Sequence, residues 1–509
     1  MTRQYDNYAD LITFSRSSSG TALRPISYGD ELVTNGDDFS SGWTTGGWTI
    51  SSEQASATGN GTNQNLYGTP VSNAVAGKLY QLSYEVISSS VAAGNLRAGA
   101  YSGASFFGGS YFTLNTTVGT HVVNFVGSPS GSGSVLDFWL YAGATSGTLV
   151  LDNISVKEVL FDQPDGTLTL FNHPAGIPRI EYDADGNVLG LLVEEQRTNL
   201  VTYSEDFTNA AWGKSASGAG SVPTVTASYA ASPDGTNSAS RVQMSVGAGT
   251  TSSDYSLLRF TISSPPSPLM CSLWVKSNTG SNQTFKLSYG AAGGVFTATS
   301  EWQRFDGLSA NTSFADLCIR GDETGQSLDV LIWGYQGETG AFPTSYIPTS
   351  GSTATRSADL AGIPVSAFGY NQKSGTVVVE FKVNESSIIK RLASLNADNT
   401  SNRMDALLIL ANHIQLFVND GGANQVGINT PNIYTDGNVA TLAFSYEEDN
   451  YAVTLSGGTI ASDTSASVPD ITQLEIGSGP TGDYANGYIK SIKYFPRRLT
   501  NAQLQELTT

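Results

Sequence analysis

Val377, Val379, Phe381 and Val383 alternate with Thr376, Val378, Glu380 and Lys382, and Leu269, Cys271, Leu273 and Val275 alternate with Met270, Ser272, Trp274 and Lys276. A two-residue period gives an extended strand one apolar face, and that face has to be covered by a second layer. Comparable β-rich runs bounded by Gly and Ser recur at 80–88, 121–127 and 135–143, and again in HIQLFV, VATLAFSY, NYAVTLS and TQLEIGS. With 55 Gly and only 14% charged residues, the chain suits many short strands joined by tight turns far better than long solvated helices. The expected fold class is all-β. At 509 residues and roughly 150 residues per domain, about three domains are expected.

The chain closes with a strand, a stop and a capped helix. Tyr488, Ile492 and Tyr494 fall on one face of an extended run, and Pro496 then removes a backbone donor. Thr500 and Gln503 have capping-box spacing, with Leu499 and Leu504 flanking as a hydrophobic staple, so a short C-terminal helix is expected. This ending resembles the one that closes the concanavalin-like (laminin G-like) sandwich of many tailed-phage structural proteins.

Two further units carry resemblances. Residues 31–159 open with LVTNGDDFSSGW and close with GTLVLDNISVKEV, ends similar to those of carbohydrate-binding jelly rolls found beside bacterial glycosidases. Residues 196–362 open with QRTNLVTYSEDFTNAAWGK and run to LDVLIWGYQGETGAFPTSYIPTSGSTATRSADL, which resembles a second jelly roll common in phage tail and fibre proteins. Both share a plan: Phe39 near Trp43 or Phe207 near Trp212 at the start, and a Leu-Asp strand at Leu151 or Leu328 at the end. The expected architecture is therefore tandem β-sandwiches, two jelly rolls plus a concanavalin-like sandwich at 373–509, with a short C-terminal helix. ITFSRSSSGTA (12–22) and IPRIEYDADGNVLGLLVEEQRTNL (177–200) resemble two parts of one segment that is nearly continuous in related phage proteins. Residues 1–30 are thus expected to pack with the connecting segment 160–195, with 31–159 as an insert between them.

The net charge of −19 argues against a nucleic-acid partner, since phosphate binding would have to overcome general repulsion. The longest apolar run, Ala406 to Ala411, is far below spanning length, and MTRQYDNYAD lacks the apolar core of a secretory signal. A chain made in a host cytoplasm, without membrane insertion, is the resulting expectation. Cys271 and Cys318 lie in apolar runs and read as small core hydrophobes, with one disulfide open to them if their strands are neighbours.

Enzyme signatures are weak. His121, His173 and His413 fall in three different units, which argues against a shared triad. Concanavalin-like glycosidases carry Glu-x-Asp-x-x-Glu, whereas Glu181-x-Asp183 is followed by Gly186 and DADGN reads as a hairpin turn. Gly477-x-Gly479-x-x-Gly482 contains Pro480 and leads into a strand, where phosphate binding needs a helix N-terminus. Acidic EEDN at 447–450 reads as a solvated hairpin turn. No catalytic residue is assigned.

Aromatic stacking on a sugar is the remaining chemistry, because Tyr and Trp offer a flat apolar face with a polar tip. Trp43, Trp48, Tyr101, Phe107 and Tyr111 are the candidates for carbohydrate contact, with core packing as the competing role for each. The resemblance of the first jelly roll also implies a structural calcium near its paired ends, with Asn35, Asp37 and Asp152 as oxygen ligands; Ser40 stands where such modules usually carry an acidic residue. No other cofactor is implied. Together the resemblances imply a non-enzymatic phage virion surface protein, a tail fibre or other appendage that binds host surface polysaccharide and other virion proteins as a homo-oligomer, for which fibres favour a trimer. The rival readings are a head-fibre or capsid decoration protein that binds only virion proteins, and a bacterial adhesin or glycosidase accessory module.

Overall fold

A computed structural model describes residues 12–70, 75, 77–100, 112–127, 135–264, 266–288, 294–309, 313–384 and 388–509. Almost all regular structure among these residues is β, and the α-helical exception is Asn501–Leu507. No helix among them is long and apolar enough to cross a membrane.

The described residues fold as three β-sandwiches. In the first, a five-stranded sheet ordered Thr44–Gly46, Gln64–Pro70, Val135–Leu140, Leu96–Ala100, Phe112–Leu114 covers a larger sheet centred on Leu79–Ser89 and Thr148–Phe161. Leu66, Leu96, Phe138 and Leu140 meet Leu82, Tyr84, Val86, Leu149 and Leu151 in one core, as alternate residues of facing sheets must. The second sandwich pairs two five-stranded sheets. One runs Trp212–Ser217, Tyr255–Thr261, Phe314–Arg320, Gln283–Lys286, Val295–Ala298; the other runs Ser221–Ala230, Ala239–Ser245, Ser327–Thr339, Leu269–Ser277, Gln303–Leu308. The alternating residues Leu269, Cys271, Leu273 and Val275 line its core. Cys318 has the other parity: Ala315, Leu317 and Ile319 enter that core, so the Cys318 thiol faces the opposite side of its sheet. Both cysteines are free, and burial pushes each thiol up to about 12.

Two seven-stranded sheets form the third sandwich, with Val377, Val379 and Phe381 packed on the same core as Leu395, Ala406, Leu416 and Val418. Its helix starts as the sequence requires. Thr500 Oγ1 accepts from Gln503 N at 3.3 Å, Thr500 N donates to Gln503 Oε1 at 3.0 Å, and Leu499 and Leu504 are buried against Val378 and Ala443. The EEDN stretch is the hairpin turn between Val439–Glu447 and Tyr451–Leu455. The last strand departs from strict alternation. Its pairing shifts register between Glu380 and Phe381, so the chain bulges near Lys490 and places Ile489, with Ile492 and Tyr494, on the core face in place of Tyr488.

The sheets extend past the units drawn from sequence. Thr13–Ser15 pairs with Leu360–Pro364, and Val188–Val193 pairs with Gly487–Phe495, so residues outside 373–509 complete both sheets of the third sandwich. Gly20–Glu31 pairs on one side with Thr148–Phe161 and on the other with Thr167–His173, in register from Gly20↔His173 to Ile26↔Thr167. The physical reason is common to both cases: an edge strand exposes unpaired backbone groups, and a flanking segment that can satisfy them is drawn into the sheet.

Where these connecting strands converge, a charged cluster is sealed from solvent. Arg16 Nη1 bonds Asp359 Oδ1 at 3.0 Å, Arg179 pairs with the other Asp359 oxygen, and Glu194 Oε2 lies 2.8 Å from Arg179 and 3.4 Å from Arg356. Glu194 N also donates to Asp359 Oδ2 at 3.0 Å. Burial opposes ionisation of Glu194, but Arg356 and Arg179 outweigh it and hold its carboxyl at about 2. Burial and the nearby Arg179 lower Arg16 to about 10. Three stretches distant in sequence thus share one set of ion pairs.

Candidate functional site

The outer face of the second sandwich carries a groove of about 860 Å³. Three neighbouring strands build its floor. Val242 and Met244 point into the core, so Arg241, Gln243 and Ser245 point out; Leu328 and Val330 point in, so Ser327 and Asp329 point out. Strand register then lines these side chains up across the sheet. Ser221 pairs with Ser245 and Ser245 with Ser327, while Thr224 pairs with Gln243 and Gln243 with Asp329, giving two transverse polar rows. A register shift between Ser221 and Thr224 keeps both rows intact on the edge strand.

The wall is the polar turn after Leu269–Ser277, and its position is fixed by Gln283. Asp329 N donates to Gln283 Oε1 at 2.7 Å, and Gln283 Nε2 donates to Asp329 O at 2.8 Å and to Thr279 Oγ1 at 2.9 Å. Asp329 is equally well held: Arg241 bonds it in a fork at 2.8 and 2.5 Å, and Asn278 Nδ2 donates to it at 3.1 Å. The Arg241 bonds keep its carboxyl below the usual carboxylate range. By contrast, the exposed side chains of Thr224, Asn282, Gln326 and Ser327, all lining the groove, have no hydrogen-bond partner among the described residues. The site therefore has a rigid frame and unspent hydroxyl and amide groups.

The sequence-derived candidates lie elsewhere. Trp48 is buried in the core of the first sandwich and donates Nε1–H to Gln64 O at 3.0 Å, so neither ring face is open to a ligand. Trp43 is half-buried: it packs against that core with its ring 5.1 Å from Phe39, and its Nε1–H donates to Asn35 O at 2.9 Å. The second sandwich repeats this device, with Phe207 and Trp212 5.0 Å apart and Trp212 Nε1–H on Tyr203 O at 2.9 Å, which identifies it as a shared anchor of the opening loop. Tyr101, Phe107 and Tyr111 lie outside the described residues. The ends of the first module do meet: Ile154 N donates to Gly36 O at 2.7 Å, and a Cβ on Gly36 would sit 1.8 Å from Ile154 O. Nearby, Asn35 Nδ2 donates to Ser41 Oγ at 2.7 Å, and Asp152 accepts from Asn153 N at 2.7 Å and Gln54 Nε2 at 3.2 Å, so protein donors occupy the Asp152 carboxylate, whereas Asn35 is engaged through its amide nitrogen. Asp37 is exposed, and its side chain has no hydrogen-bond partner among the described residues. Among the described residues no group of three or more His, Cys, Asp and Glu side chains is placed to hold a metal ion.

Other perturbed groups sit away from the groove. Burial pushes Glu181 up to about 8 against the Leu23 backbone and Glu205 up to about 7 beside Asp234, with Tyr346 donating to Glu205 at 2.8 Å. Asp183, two residues beyond Glu181, accepts from Asp185 N at 3.0 Å and Asn187 N at 2.8 Å and closes the DADGN hairpin.

No family model matches the chain, and no curated protein does. Among solved structures, the chain is similar to the CBM40 module of the Ruminococcus gnavus IT-sialidase bound to alpha2,3 sialyllactose, at 17% identity and a TM-score of 0.25, covering 27% of this chain and 83% of that one. The NanB sialidase from Streptococcus pneumoniae matches at 18% identity and a TM-score of 0.25, over 28% of this chain and 26% of that one. Domain 4 of AbnA, a GH43 extracellular arabinanase from Geobacillus stearothermophilus in complex with arabinotriose, matches at 11% identity and a TM-score of 0.24, over 34% and 84%.

Proposed function

We propose that this chain is a non-catalytic virion surface protein, a phage tail fibre or other appendage made in the host cytoplasm, that holds a host cell-surface glycan in the groove of its second jelly roll. The observation that carries the binding half is the pair of transverse rows, Ser221–Ser245–Ser327 and Thr224–Gln243–Asp329, with free hydroxyls and amides beside them. A polyhydroxylated ligand is recognised by such groups when their frame is fixed in advance, because little side-chain order is then lost on binding. The virion half rests on the resemblance of residues 177–200 and 484–508 to phage structural proteins. Against hydrolysis, glycosidases generally need two carboxyl groups about 5–9.5 Å apart, and the described residues of the groove lining include one, Asp329, committed to Arg241.

The purified full chain is expected to bind host cells and isolated capsule or lipopolysaccharide while releasing no reducing ends. Release of reducing ends that a single carboxylate substitution abolishes would overturn the non-catalytic reading. Attachment to purified particles without any affinity for host glycan would favour the decoration-protein alternative.

A further inference from the structure

We infer that the groove selects uncharged glycans and rejects sugars bearing carboxylates, such as sialylated or uronic-acid-containing chains; this rests on the groove being the glycan site. Of the described residues lining it, Asp329 alone is ionisable. Both Asp329 oxygens are taken by the Arg241 fork, so the guanidinium is spent on that carboxylate. An acidic sugar entering the groove would lose water around its own charge and meet no unpaired cation among the described residues that line it. The surrounding field is also unfavourable, since the chain carries a net charge of −19.

The groups that are available match neutral sugars. Gln243, Asn282 and Gln326 each offer an amide that both donates and accepts, and Thr224 and Ser327 offer hydroxyls with the same dual capacity. Sugar hydroxyls need that duality. Val222, 58% exposed, sets an apolar patch at the rim on which the C–H face of a ring can rest. Gln243 makes only a long contact to Asp329, 3.4 Å, so its amide can turn to a ligand without dismantling the frame.

The test is an array of neutral hexose and N-acetylhexosamine oligosaccharides printed beside their sialylated and uronic-acid-bearing counterparts, probed with the full chain. Neutral members should bind, with acidic counterparts at least about tenfold weaker. Binding should change little between about 50 and about 500 mM salt, because no ion pair is involved. Gln243→Ala and Asn282→Ala, both at exposed positions, should each weaken binding by about tenfold with an unchanged melting temperature. Equal or stronger binding of the acidic members would overturn the inference and leave the glycan-binding function standing. Neutral binding that neither variant weakens would place the site elsewhere, overturning the groove assignment and the inference together while glycan binding by the chain still stands. Binding of no member would overturn the glycan-binding function and the inference with it.

Discussion

Replacing Asp359 by alanine is expected to lower the unfolding free energy by about 3–5 kcal/mol, the usual loss when one member of a buried ion-pair set is removed. Asp359 accepts from Arg16, Arg179 and Glu194 N, and its side chain and those of Arg16, Arg179 and Arg356 have no solvent exposure. Without it, buried guanidinium groups would be left with Glu194 as their main counter-charge. The damage should be local to the seam, since Arg16 precedes the first sandwich, Arg179 follows it, and Asp359 lies just before the third. Urea titration followed by hydrogen exchange would check this. Early exchange in Gly20–Glu31, Thr167–His173 and Val188–Val193, ahead of the three sandwich cores, is the expected pattern. Uniform weakening of all three cores would contradict it.

Trp48→Ala is expected to have an effect of similar size by a different mechanism. The ring fills the core of the first sandwich among Phe39, Ala55 and Leu66, so its removal should cost about 3–5 kcal/mol through lost burial and the cavity left behind. Glycan affinity of the folded variant should equal that of the parent, because the groove belongs to another sandwich. A variant that melts normally but loses affinity would return carbohydrate contact to the first jelly roll.

Much of the fold was legible because its signals are local. The Thr500–Gln503 capping box, the Asp-Gly hairpin at 183–187 and the apolar faces of Leu269–Ser277 and Ser374–Val383 need only a few consecutive residues to be recognised. The repeated Phe39–Trp43 and Phe207–Trp212 pairs were visible as a pattern, but whether a ring faces core or solvent depends on the sheet above it, and Trp48 proved to be packing. Strict alternation puts Tyr488 on the wrong face because a bulge reverses parity without any mark in composition. The groove escaped for a related reason. Gln243 and Ser245 are the polar half of an alternation read for its apolar half, and Gln243 meets Asp329, 86 residues away, only through strand register. The one advance signal was the uncharged polar run SNTGSNQT at 277–284, which now forms the wall.

Whether the groove of the second sandwich holds glycan can be read from a crystal structure of the full chain with a bound oligosaccharide cut from host polysaccharide. Sugar density is expected across the Thr224–Gln243–Asp329 row, with ring hydroxyls within about 3.2 Å of Gln243 and Asn282 side-chain atoms. Ordered sugar seated on the first jelly roll, with the groove of the second left to solvent, would contradict it.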